Sequence, residues 1–169
     1  MALSELVFVG EIVLQTKIAA QAAKRLPSSL DRIDQIEVWS AIQSILIAAG
    51  NVSKILWPPR SSSKGRGARL RELLQVHDSN PLSDRNFRNH FEHYDERIED
   101  WFEETGSAAY MDSRIDPFDS PLFPGPSCHH RAYNPLTMAL TFRGESLDLA
   151  AILEALSEIR QKCRLHALP

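Results

Sequence analysis

The sequence predicts an all-α fold, a four-to-five-helix up-and-down bundle interrupted by one long irregular insertion. Three observations carry that prediction. Long segments near both ends of the chain repeat apolar residues at helical spacing. Prolines stand where the first two of those segments stop. Only a short turn separates these two, which makes them antiparallel neighbours. The 169 residues suit one helical domain spanning 1–169.

The first helix reads from Leu3 to Leu26, carried by Leu6, Val7, Val9, Ile12, Val13, Leu14 and Ile18, with Pro27 behind it. Its apolar sector is wider than one stripe, so burial on two sides is expected. After "PSSLD" a second helix runs from about Asp31 to Leu56 through Ile33, Ile36, Trp39, Ile42, Ile45, Leu46, Ala49 and Val52. Pro58 and Pro59 end it. The stretch "PPRSSSKGRGARLR" then replaces apolar residues with serine, glycine and the cations Arg60, Lys64, Arg66, Arg69 and Arg71. It reads as a mobile basic loop leading into a short helix around Leu70, Leu73 and Leu74.

Beyond "DSNP", Ser83 or Asp84 caps a further helix that continues to about Glu104. Its apolar stripe is Phe87, Phe91, Tyr94, Ile98, Trp101 and Phe102. Residues 106–136 hold five of the ten prolines and show no periodicity. An irregular insertion is therefore expected over about 106–146. Within it "TMALTFRGESL" reads as a short β-hairpin or extended segment with Gly144 in the turn. The last helix runs from about Asp148 to Leu165, with Leu149, Ile152, Leu153, Leu156 and Ile159 inward. Asp148 near its start and Lys162 and Arg164 near its end suit the helix dipole.

Composition narrows the function classes. A net charge of −3 gives no global argument for a nucleic-acid partner, so that argument rests on a local patch. Two cysteines, Cys128 and Cys163, are too few to staple this chain, and no signal peptide is read at its start. A reducing, cytoplasmic location is expected. The longest uncharged stretch, Val38 to Ser53, is 16 residues, short of the roughly 20 needed to span a bilayer, so no membrane contact is expected. Neither a phosphate-cradling GxxxxGK[ST] nor a GxSxG nucleophile elbow occurs, which removes nucleotide-loop and serine-hydrolase chemistry.

The chemistry concentrates in "RNFRNHFEH", residues 85–93. At about 100° per residue from Phe87, the residues Asn86, Asn89, His90, His93 and Arg97 form one polar band between roughly 200° and 300°. Arg88 lies about 140° from His93. One helix therefore does not aim both heads at one point, whereas two copies of the helix facing each other in a two-fold dimer would. An imidazole near its ordinary pKa of roughly 6.5 can take a proton from a ribose 2′-hydroxyl or return one to the leaving oxygen. Guanidinium groups can neutralise charge building on the phosphorus oxygens. The basic stretch with Lys64, Arg66 and Arg69 would add sequence-independent attraction for an RNA backbone.

At these residues the chain resembles a known family. "RNHFEH", Arg88 to His93, fits the RNxxxH signature of the HEPN superfamily, and "RNFRNH", Arg85 to His90, fits it again in an overlapping register. The resemblance implies a helical bundle, a homodimer and, in many members, a metal-independent endoribonuclease of toxin–antitoxin or defence systems acting on single-stranded RNA. Other members are non-catalytic modules that bind nucleic acid or a protein. It further implies Arg88, Asn89 and His93 as the catalytic set, with Arg85, Asn86, His90, Arg97, Lys64, Arg66 and Arg69 in support. No cofactor or metal is implied, and an antitoxin or other protein partner is. The later register is preferred because "YDERIEDW" follows it directly. Some family toxins carry a tyrosine two residues after the histidine; here Asp95 holds that place and Tyr94 comes one residue early.

Two plainer readings stand beside this one. The polar band can be a solvated face, or an ion-pair network joining Arg88 and Arg97 to Glu92, Glu96 and Asp100. Cys128, His129 and His130 could join His90 and His93 around zinc, but that is not a recurrent ligand spacing.

Overall fold

The computed structural model describes residues 2–26, 34–84, 93–105, 110–115 and 130–166. These form two units, residues 1–85 with 151–169, and residues 86–150. Among the described residues there are five α-helices and a four-stranded mixed sheet. The sheet corrects the all-α expectation.

The first unit is built on α1 (Leu3–Ala23) and α2 (Gln35–Leu56), which pack against each other. Glu5 reaches back to the Ala2 N–H at 2.9 Å, and Asp34 accepts the Glu37 N–H at 3.0 Å, so each helix start has a free donor satisfied. Arg25 pairs with Glu37 at 2.6 Å, joining the end of α1 to the start of α2. α2 is the central element. Val38, Ile42, Ile45, Ala48, Val52 and Leu56 are buried on it, while Ile36 and Ile47 remain exposed.

α1 is 21 residues long and, by length and composition only, is apolar enough to cross a membrane. One face buries Val9, Ile12, Ala19 and Ala22, and another exposes Leu3, Val7, Leu14 and Ile18. Among the described residues the two-sided burial expected of this helix is thus found on one side only. From Ala151 onward α5 (Leu149–Arg164) adds Ile152, Leu156, Ile159 and Cys163 to this unit's core. Its Leu153 and Leu156 share a shallow groove with Ala19 and Ala23 of α1.

The mobile basic loop is also corrected. Ser61–Ser63 form a 3₁₀ turn and Lys64–Leu73 form α3. Helix ends leave carbonyls without partners, and the arginines of this stretch supply the donors. Arg71 Nη1 donates to Leu56 O at 2.5 Å, and Arg66 Nη2 lies 3.3 Å from Lys54 O. Gly67 permits the approach, because a Cβ there would lie 2.6 Å from Leu56 O and would also collide with the Pro58 ring.

In the second unit, α4 (Tyr94–Thr105) accompanies β1 (Arg114–Ile115), β2 (Arg131–Asn134), β3 (Ala139–Phe142) and β4 (Glu145–Asp148). β1 pairs parallel with β2 through Arg114↔Ala132, and β2, β3 and β4 form an antiparallel meander. The β3–β4 hairpin turns on Arg143 (φ 47°) and Gly144 (φ 85°), both left-handed, as a two-residue type I′ turn requires. Along β3 burial alternates, with Leu140 and Phe142 inward. Tyr133, Trp101 and Leu149 are also buried in this unit.

Candidate functional site

His93 directly precedes α4, and its backbone carbonyl accepts the first helical hydrogen bond, from the Arg97 N–H at 3.1 Å. Its side chain is 52% exposed, with Nδ1 3.4 Å from Glu96 Oε1 one turn along. Nε2 makes no hydrogen bond among the described residues. A carboxylate on one ring nitrogen favours the tautomer that leaves the other nitrogen's lone pair outward, the form a general base needs.

Arg97, grouped with His93 in the sequence reading, is committed elsewhere. Its Nη1 bonds Asp100 Oδ2 at 3.1 Å, and Asp100 also meets Arg143 at 3.4 Å. Arg143 in addition pairs with Glu104. This part of the expected ion-pair network is formed. Arg66 stacks 4.3 Å over the Phe8 ring besides capping α2, and Arg69 bonds Glu5 at 3.3 Å. Lys64 is exposed at the start of α3. Arg85, Asn86, Arg88, Asn89 and His90 lie outside the described residues, as do Phe87 and Phe91 of the apolar stripe and Cys128 and His129 of the zinc alternative.

What anchors His93 is the residue after it. Tyr94 Oη donates to Asp112 Oδ2 at 2.8 Å, and Arg131 Nη2 lies 3.1 Å from the same hydroxyl. Arg131 grips Asp112 with both ends of its guanidinium, at 2.8 Å and 2.6 Å, and touches Ser113 Oγ at 3.0 Å. Its guanidinium carbon sits 4.3 Å over the Tyr94 ring. Burial pushes the Asp112 carboxyl up, but the hydrogen bonds from Arg131 and Tyr94 outweigh it and hold the group below the ordinary carboxylate range. Burial, with the hydrogen bonds to Tyr110 and Asp112, raises the Tyr94 phenol, so it stays a donor.

Next to this pair lies His130, wholly buried. Its Nδ1 is 2.9 Å from Tyr110 Oη, and its ring lies 4.6 Å from the Phe142 ring. Trp101 packs edge-on to Tyr110 at 5.0 Å and closes the cluster.

Sequence reasoning weighed His130 only as a zinc ligand and gave no role to Tyr110, Asp112 or Arg131. All three lie in the stretch read as irregular. The sequence marks Tyr94 as a member of the apolar stripe and as a departure from the family pattern, not as a hydrogen-bonding group. No local signal marks Tyr110 or Asp112: "YMDSRI" sets three polar residues in a row between apolar ones, without the alternation of a strand.

Compared with protein-family models, with curated proteins and with solved structures, the chain matches none.

Proposed function

We propose that the protein is a metal-independent endoribonuclease acting on single-stranded RNA as a homodimer. His93 serves as general acid or base, Arg88 neutralises charge on the phosphorus oxygens and Asn89 orients the imidazole. The observation that carries this reading is the exposed His93, whose Nδ1 faces Glu96 and whose chain neighbour Tyr94 is held by Asp112 and Arg131. A mobile nucleophile-activating group needs rigid support close by, and Tyr94 supplies it one residue away. The exposed apolar residues Leu3, Val7, Leu14 and Ile18 on α1 support a second copy as partner, since such patches favour association. By the family resemblance, a toxin or defence role in the cytoplasm with a protein antitoxin is part of the same proposal.

A second reading is a non-catalytic module that binds nucleic acid or a protein. Its protein-binding form is favoured by the fate of the cations, because Arg66, Arg69, Arg71 and Arg97 all serve intramolecular contacts. Single-stranded RNA incubated with the protein in excess EDTA, beside a His93→Ala variant, separates the two. Cleavage by the wild type alone supports the nuclease. Absence of cleavage by both, with a dimer intact on a sizing column, moves the function to binding.

A further inference from the structure

We propose that the second unit contains an acid-triggered clasp, in which protonation of His130 releases the Tyr110–Asp112 segment and frees the start of α4. The inference is independent of the nuclease reading. His130 ties three pieces together. Its N–H donates to Met111 O at 2.8 Å, its carbonyl accepts the Arg143 N–H at 3.0 Å, and its ring holds Tyr110 Oη. Displacing this one residue therefore breaks the strap at Met111, the bond to the β3–β4 turn and the tyrosine contact at once.

The site is built for a neutral ring. An imidazolium carries two N–H donors, and among the described residues Nδ1 has a well-formed hydrogen bond while Nε2 is buried without one. The charged and titratable groups around the ring are Tyr94 of α4, Tyr110 and Asp112 of the strap, Arg131 of β2 and Arg143 of the hairpin turn, and the Arg97 backbone of α4 also meets it. Asp112, 3.8 Å from Nδ1, is the one carboxylate among them, and it is already held by Arg131 and Tyr94. Asp100 and Glu104 are taken up by Arg143. Burial first, then the Arg131 and Arg143 charges, lower the affinity of the ring for a proton, and together they outweigh the pull of Asp112 and of the Arg97 backbone.

The sign follows from linkage. A histidine whose folded pKa lies below its unfolded value stabilises the fold above the unfolded value, roughly 6.5. That stability is lost as pH falls from there toward the folded pKa. The loss proceeds at up to about tenfold in the opening equilibrium per pH unit, the slope of one proton.

Hydrogen exchange of the full chain tests this, with rates normalised to the intrinsic exchange chemistry at each pH. Between pH 7.5 and pH 5 the His130 and Arg143 amides should lose protection, at up to about tenfold per pH unit below roughly 6.5, while amides at the centre of α2 keep theirs. In a His130→Gln variant, which keeps a partner for Tyr110 but cannot charge, the same amides should stay level. If that variant does not fold, NMR of the wild-type ring decides: the neutral form should persist in the folded protein well below pH 6.5. A ring that becomes charged near 6.5 with the amides still protected overturns the proposal. So does equal loss of protection in wild type and His130→Gln, which would assign the effect to a group other than His130; Asp112, held below the ordinary carboxylate range, loses its contribution only below about pH 4.

Discussion

Arg131 and Asp112 face each other across two parallel hydrogen bonds, Nε to Oδ1 at 2.8 Å and Nη2 to Oδ2 at 2.6 Å. Their side chains are only 12% and 17% exposed, so the pair is screened by protein more than by water. Removing one partner of such a pair strands the other. Asp112→Ala should cost about 3 kcal/mol of stability in urea unfolding, and a double replacement by apolar residues of similar volume should cost less than the single one. A loss under about 1 kcal/mol would place the pair with ordinary surface bridges.

Gly67 offers a cleaner test of packing. Helix propensity alone favours alanine over glycine by about 1 kcal/mol. Here the added Cβ meets Leu56 O and the Pro58 ring, neither of which can swing away. The clash should win, so Gly67→Ala should lower stability by about 1–2 kcal/mol net, read from the denaturant midpoint. A gain in stability would show that α3 can shift off the end of α2.

Cys163 on α5 is fully buried, and burial pushes its thiol up to about 11. Thiolate is the reactive form. At pH 8 alkylation of Cys163 in the native protein should be at least about a hundredfold slower than in guanidinium. Mass spectrometry of the Cys163 peptide reads this without interference from Cys128. Comparable rates would mean that α5 opens readily.

Much of the helical framework was legible because its signals are long and repeated. α1, α2 and α5 begin and end within a few residues of where periodicity, helped by proline in the first two, puts them, since many apolar positions vote together in each case. The hairpin was legible from Gly144, the one residue suited to its turn without strain. β1 and β2 were not, because two-residue and four-residue strands carry almost no periodicity, and β1 acquires its meaning only from a partner 18 positions away, Arg114 beside Ala132. The second half of α3 was legible from Leu70 and Leu73, but its first half was hidden by Gly65, Gly67 and the three serines before it, residues that propensity assigns to a loop. Tertiary contacts decide otherwise, with Arg66 and Arg71 binding the carbonyls at the end of α2. In the site, His93 was singled out by residue type alone, whereas Asp112 and Arg131 are ordinary residues until the sheet brings them to Tyr94.

The central claim is that His93 of one copy and Arg88 of another complete one site. It is tested most directly by co-expressing His93→Ala and Arg88→Ala chains and assaying the purified mixture on single-stranded RNA in EDTA. Each variant alone should be inactive. The mixture should recover about a quarter of wild-type activity, because half the dimers are mixed and each of these rebuilds one site of two. A mixture as inactive as its parents would contradict the shared site.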